Sequence, residues 1–229
     1  MILSVHQPQY IPWLGYFDKI IKSDCFVFLD NVQYKPREFQ NRNKIRTKDG
    51  WIWLSVPIVA KGLGRQNICD VKIDNSFDWR KDHCASIKAW YGRSEFFGKH
   101  FPFFEGLYAK EWESLSDLSI SIIMYALKEL SISTPAHFES KLDIKSKKTE
   151  RIIEICGKLK ADTYLPGIGG KEYLEEDKFI AAGITLKYQE FKHPAYRQQF
   201  MKDKDDFIPY MSILDLLFNE GPGSREILV

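Results

Sequence analysis

The chain has 229 residues, a length that fits one large domain better than two independent ones. Hydrophobic residues make up 44% and charged residues 28%, and this ordinary globular composition excludes a disordered or fibrous protein. Thirty-three basic and 31 acidic residues nearly balance, so polyanion binding would need a local patch, and we predict no nucleic-acid partner.

The first 30 residues predict a strand, a helix and a second strand. Leu3–Val5 is a short apolar run that stops at Gln7, and residues 13–22 have apolar side chains at helical spacing. Residues 25–29 are continuously apolar, which is typical of a strand buried on both faces of a parallel sheet. This β-α-β opening predicts an α/β fold with a mostly parallel sheet.

A β-hairpin is predicted next, over residues 43–47 and 52–56, with Asp49-Gly50 as its two-residue turn. One face is apolar and suits burial, whereas the other interleaves cations with indoles. The predicted cross-strand pairs on that second face are Lys48 with Trp51, Arg46 with Trp53, and Lys44 with Ser55.

A helical middle and a mixed end complete the predicted elements. Apolar stripes predict helices over 79–91, 115–130 and about 149–159, the second capped by Ser114 and the third by Ser146 or Thr149. His83 lies on the first stripe and is interpreted as a hydrogen-bonded core residue. Strands at 162–165 and 184–191 and helices at 173–182 and 209–219 follow. We expect a single domain over 1–229, with a helical lobe at roughly 77–135.

Missing motifs disfavour several classes of protein. The four cysteines lack zinc-site or redox spacing, so no metal site is predicted. GxSxG, HExxH and the full P-loop are absent. The N-terminus has no signal-peptide layout, and the longest apolar stretch carries Lys128 and Glu129. We therefore expect a cytoplasmic protein with no membrane span.

The predicted strand ends hold the candidate catalytic residues. His6 follows the first strand, Asp30 the second and His193 the last, and ligands of parallel sheets collect at carboxyl ends of strands. His6 or His193 would act as a base. The alternatives are a structural histidine bonded to loop backbone and an aspartate that closes its own turn. We expect His6, Asp30, Arg42 and His193 to line one cleft.

Two further features have both a functional and a plain interpretation. Arg42, Lys44 and Arg46 alternate beside Trp53 on one hairpin face and could hold phosphates while the indole stacks a base or sugar. A solvated, stabilising strand face is the alternative. The glycine-rich run 167–171 could cradle phosphate through its amides, but it lacks P-loop spacing.

Seven separated blocks carry a family resemblance along nearly the whole chain. They are HQPQYIPWLGYFDKI, FVFLDNVQY, QNRNKI, GWIWLSVPI, DTYLPGIGGKEYL, HPAYRQ and SILDLLFNEG. Together they resemble the WbqC-like family. The resemblance implies a setting in gene clusters for O-antigen and other surface polysaccharides, and a role in modifying amino sugars, including aminoacylation.

A second likeness concerns the fold. His6 followed by PWLGY, a helix and an apolar strand is similar to the opening of HIGH-motif nucleotidyltransferases and pantothenate synthetase. Tyr16 stands where the second histidine of that motif would be. The likeness implies a shared sheet topology. The chain departs from the motif at Tyr16, and this departure disfavours adenylate chemistry.

From these resemblances we expect a biosynthetic transferase that acylates the amine of a nucleotide-linked amino sugar, a phosphorylated small-molecule partner. A non-catalytic sugar-nucleotide-binding scaffold and an ATP-dependent nucleotidyltransferase-like enzyme are the alternatives. No cofactor is fixed, with ATP and an activated acyl donor as candidates, and the oligomeric state is open. The predicted substrate-binding residues lie in or beside the seven blocks. They are Gln7, Tyr10, Gly15, Tyr16, Gln33, Asn41, Arg42, Asn43, Lys44, Arg46, Trp53, Gly167, Gly170, Tyr173, Tyr196 and Gln198.

Overall fold

A computed structural model describes residues 1–229 and contains two β-sheets and a set of helices. The strands are β1 (Ile2–His6), β2 (Cys25–Phe28), β3 (Arg42–Thr47), β4 (Gly50–Ser55), β5 (Ala136–Phe138), β6 (Thr163–Tyr164) and β7 (Thr185–Leu186). The helices are α1 (Leu14–Ile21), α2 (Trp79–Tyr91), α3 (Phe97–Ala109), α4 (Leu115–Glu129), α5 (Lys148–Leu159), α6 (Glu176–Ala181), α7 (Ile213–Glu220) and α8 (Ser224–Leu228). None of these helices has the length and apolarity that crossing a membrane requires.

The main sheet has five parallel strands in the order β5-β2-β1-β6-β7. Phe26 and Phe28 face a core formed with α1, α4, α7 and α8, whereas Leu3 and Val27 face a second core formed with α5 and α6. Both faces are therefore covered, which explains why β2 reads as a continuous apolar run. The predicted α/β fold with a mostly parallel sheet is confirmed.

β3 and β4 form the predicted hairpin, but the predicted register is wrong by two residues. Thr47 pairs with Gly50, so the turn is Lys48-Asp49, and Gly50, with φ of 136°, already belongs to β4. Because a shift of two residues keeps each side chain on its face, the cations and indoles still share one surface. The observed pairs are Arg42 with Ser55, Lys44 with Trp53, and Arg46 with Trp51.

α2, α3 and α4 pack with the apolar face of the hairpin around a third core, which also contains Leu214 and Phe218 of α7. The Ser114 hydroxyl caps α4 by accepting a hydrogen bond from the Asp117 amide, as predicted. A lobe at 77–135 within one domain stays a prediction.

Several local predictions fail. α5 begins after Lys147 without a side-chain cap, and the Glu154 carboxylate accepts the backbone amides of residues 145 and 146 just ahead of the helix. α3 was not predicted, since Gly98, Pro102 and Gly106 interrupt its pattern. The strand predicted over 184–191 is only Thr185–Leu186, and the helix predicted over 173–182 begins at Glu176.

Candidate functional site

The strand order places the switch point of the sheet between β1 and β6, where open α/β sheets form their binding crevice. The chain runs outward from β1 to β2 and β5 on one side, then returns to place β6 and β7 on the other. Connections therefore diverge at the carboxyl ends of β1 and β6, which is where open α/β sheets bind ligands. His6 ends β1, and Gly167 follows β6 by three residues.

Lys19 of α1 brings a buried cation to this crevice. Its residue is only 5% exposed, and its Nζ makes no ion pair or hydrogen bond within the protein. A Cβ built on Gly167 would lie 3.3 Å from Lys19 Nζ, so the ammonium stands directly against the loop after β6. Burial lowers the pKa of Lys19 to about 8. An unpaired buried ammonium is costly unless an anion joins it.

His6 lies beside Lys19 and is held in one tautomer. Its Nδ1 donates to the Gln7 carbonyl at 3.1 Å, which leaves the Nε2 lone pair without a partner. Burial, and then the charge of Lys19, lower the pKa of His6 to about 3. The ring meets Tyr16 edge to face at 4.8 Å, and the buried Tyr16 hydroxyl has no partner. His6 is thus a neutral acceptor next to a cation.

The glycines of the 167–170 loop allow close packing at this point. At Gly170 a Cβ would come within 2.8 Å of Pro166, so only glycine fits there without a shift. Gln189 closes the other side, because its Nε2 donates to the Gly15 carbonyl and to Asp18. The Lys19 ammonium therefore stands between α1 and the loop after β6, with Gln189 bonded to the same helix.

Asp30 ends β2 on the neighbouring part of the same edge, but its oxygens are already used. Ser140 donates to Asp30 through its amide at 2.9 Å and its hydroxyl at 2.6 Å, which ties β2 to β5. Glu139, which the sequence analysis missed, is buried next to it and lies 3.4 Å from Arg151. Burial raises the pKa of Glu139, and Arg151 opposes that shift.

Three of the predicted residues, Arg46, Tyr196 and Gln198, gather around a carboxylate that the sequence analysis missed. Asp215 of α7 is fully buried and accepts hydrogen bonds from Tyr91, Tyr196 and Gln198 at 3.0, 2.8 and 2.6 Å. Burial raises the pKa of Asp215 to about 6, against the effect of these bonds and of Arg46. We name this group the Asp215 cluster; it joins the hairpin, α2 and α7.

Arg46 is therefore unlike the other hairpin cations. Its side chain is buried, and Nε donates to the Gln199 carbonyl at 2.9 Å while Nη1 has no partner. Arg42 and Lys44 stay at the surface, over the rings of Trp53 and Trp51 at 4.3 and 4.1 Å from the centroids.

The remaining predicted residues divide between the core and the surface. Tyr10 is buried and bonds His83 at 2.8 Å, as well as Tyr108, so His83 is the core residue predicted. Asn43 is buried and donates to the Ile11 carbonyl. The space above Gly15 is filled by the Trp13 ring. Asn41, Gln33 and Tyr173 reach the surface, and Asn41 and Gln33 line a separate cleft.

His193 stands apart from His6 in its contacts. Its Nδ1 donates to the Pro194 carbonyl at 2.8 Å, and its Nε2 accepts the Tyr210 amide at 3.1 Å. Aromatic rings of the same C-terminal segment surround it. Both ring nitrogens are occupied, so in this conformation His193 has no lone pair free for a substrate.

The chain is similar to known proteins along nearly its whole length. The model of the WbqC-like protein family matches residues 7–227. The uncharacterized protein Rv1507c of Mycobacterium tuberculosis is 32% identical over 227 residues, covering 99% of this chain and 96% of its own length. No solved structure matches the chain.

Proposed function

Because the chain belongs to the WbqC-like protein family, we propose that it is a biosynthetic transferase of surface-polysaccharide, or O-antigen, formation. It acylates the amine of a nucleotide-linked amino sugar in the cytoplasm. The crevice between β1 and β6 binds the phosphorylated part of this substrate.

One observation carries the proposal: an unpaired ammonium and a neutral imidazole stand close together at the switch point of the sheet. Lys19 supplies the buried positive charge that a phosphate needs, and His6 supplies a free Nε2 lone pair beside it. The two groups are coupled, since the charge of Lys19 lowers the pKa of His6. A bound phosphate neutralises that charge and so raises the pKa of His6, which makes it a better base only when substrate is present.

The reaction then needs few parts. The amine nitrogen attacks the carbonyl carbon of an activated acyl donor, and an N–C bond forms. The bond from that carbon to the donor's leaving group breaks, and the leaving group takes the electron pair. His6 Nε2 accepts the proton that the amine loses. Lys19 holds the phosphate and fixes the distance of the amine from His6.

The strand order favours one further candidate, an ATP-dependent nucleotidyltransferase-like enzyme. The order around β1 is that of a mononucleotide-binding half with its switch point beside the first strand. Such an enzyme would bind ATP in the same crevice. Against it, Tyr16 takes the position of the second histidine, and its hydroxyl is buried.

The test measures binding of a uridine diphosphate amino sugar and of ATP by calorimetry. Gly167→Ala brings a methyl group against the Lys19 ammonium, whereas Gly169→Ala in the same loop meets nothing within 4 Å. We expect Gly167→Ala to weaken sugar-nucleotide binding by roughly tenfold, the loss of one charge-assisted contact, and Gly169→Ala to leave it unchanged.

Binding of ATP alone would support the nucleotidyltransferase candidate. If the protein binds the sugar nucleotide but the amino sugar gains no mass when acyl donors are added, the result would support a non-catalytic scaffold protein. Equal affinity of the two glycine variants for the sugar nucleotide would show that Lys19 does not contact it.

A further inference from the structure

A second surface of the chain is strongly basic although the whole protein is not. Eight basic and two acidic side chains lie between residues 35 and 65, against a net charge of +2 for all 229 residues. None of these eight cations forms an ion pair. Unpaired cations concentrated on one segment create a local field that attracts anions.

The same segment forms one wall of a cleft of about 370 Å³, between the start of β3 and the loop at 58–66. Its polar lining combines two arginines with amide and phenol groups. These are Gln33, Tyr34, Arg37, Asn41, Arg65 and Gln66. Two guanidinium groups facing one cleft are suited to the paired oxygens of a phosphate or pyrophosphate.

Local strain and unpaired polar atoms mark this cleft as more than a surface groove. Arg37 has φ of 65°, in the left-handed region, and its carbonyl accepts the Arg42 guanidinium. Asn41 Oδ1, an acceptor, and Arg42 Nε, a donor, are shielded from solvent and have no partner, and an anion can satisfy only the donor. Strained backbone and unsatisfied polar atoms both cost stability, and they concentrate where a ligand makes use of them.

The cleft is connected to the carboxyl edge of the sheet but is separate from the Lys19 crevice. Gln40 donates to the Gln7 side chain at 2.7 Å and accepts the Lys35 amide at 2.8 Å, which fixes the loop that carries Arg37.

We propose that this cleft is a second anion site, which binds a phosphate or pyrophosphate ester through Arg37 and Arg65. It does not depend on the function proposed above. The ester could be soluble or a lipid headgroup, because the exposed side chains of Trp51, Val59 and Leu63 lie on the same segment.

The experiment counts bound inorganic pyrophosphate by calorimetry at low ionic strength. We expect the double variant Arg37→Ala/Arg65→Ala to bind one pyrophosphate fewer per chain than wild type, and Lys19→Met to keep the site that this double variant loses, whether or not the Lys19 crevice binds a pyrophosphate of its own. Arg65→Ala alone should weaken the second site by about tenfold, the loss of a charge-assisted contact. Lys61→Ala is the matched control, because it removes an exposed charge of the same loop that does not line the cleft.

A second arm uses sedimentation with vesicles of phosphatidylcholine containing one part in about three of anionic phosphatidylglycerol. Vesicle binding that Arg65→Ala removes, without pyrophosphate binding at the cleft, assigns the site to a lipid headgroup. Pyrophosphate binding alone assigns it to a soluble ester. Equal losses for Lys61→Ala and Arg65→Ala, or no binding of either probe at the cleft, would overturn the proposal. All three basic residues are exposed, so circular dichroism should show folded variants.

Discussion

Replacing Lys19 by methionine should make the protein more stable, although it removes a residue that we place in the site. Burial lowers the pKa of Lys19 from 10.5 to about 8, and this difference corresponds to about 3 kcal/mol that the folded state loses by holding the charge. Methionine has similar length and no charge to bury. At pH 7 we therefore expect the free energy of unfolding to rise by up to about 3 kcal/mol.

The pH dependence provides a sharper form of this prediction. Below pH 8 Lys19 is charged in both the folded and the unfolded protein, so the full cost of burying its charge is present. Between pH 8 and 10.5 the folded state releases the proton before the unfolded state does, so wild-type stability rises relative to the variant. The advantage of Lys19→Met should shrink through this range and vanish near pH 10.5.

Urea denaturation of both proteins without ligand, from pH 7 to 10.5, measures this difference. Lys128→Met in α4 is the control, because Lys128 is exposed and forms no ion pair, so its loss should change stability by at most about 0.5 kcal/mol. A Lys19→Met protein less stable than wild type at pH 7 would refute the reasoning. So would an advantage that stays constant with pH.

Two further variants test the roles of His6 and Asp215. His6→Asn should keep most ligand affinity and lose ~10²–10⁴-fold in turnover in a single-turnover acylation assay, because the amide can bond but cannot act as a base; full activity would remove His6 from the reaction. Asp215 has its pKa raised from 3.8 to about 6, so its contribution to stability is complete below pH 3.8 and is lost as the pH rises through 6. Between pH 4 and 6 the free energy of unfolding of Asp215→Asn should therefore rise relative to that of wild type by up to about 3 kcal/mol. Urea denaturation that gives the same difference between the two proteins at pH 4 and pH 6 would contradict this assignment.

Features that depend on local pattern were predictable from the sequence. The apolar run of β2, the alternation of the hairpin and the capping serine of α4 each reflect interactions among residues near in sequence, and each is present. The hairpin register was not, because Gly50 fits either in a turn or at the first position of a strand. His6 and Asp30 lie at one edge because parallel strands share their carboxyl ends.

Lys19 and Asp215 could not have been found in that way. A lysine in a helix normally faces solvent, whereas Lys19 is buried because segments far along the chain pack against α1, with Gly167 at its Nζ and Gln189 bonded to the same helix. Asp215 likewise lies in an apolar helix whose partners, Tyr91 and Tyr196, come from distant segments. Long-range packing decides both positions, and no local pattern of residues encodes it.

The covering of α1 also determines when the chain can finish folding. The carbonyl of Pro12, just before α1, accepts the amide of Ile213, and Trp13 bridges to Ser212. α8 then packs against the same helix. α1 thus meets these partners only when residues 212–228 have been made and have left the exit tunnel. Such long-range closure slows folding. Until then the part of α1 that α7 and α8 cover stays exposed in the nascent chain, and this interval is when a chaperone would bind it.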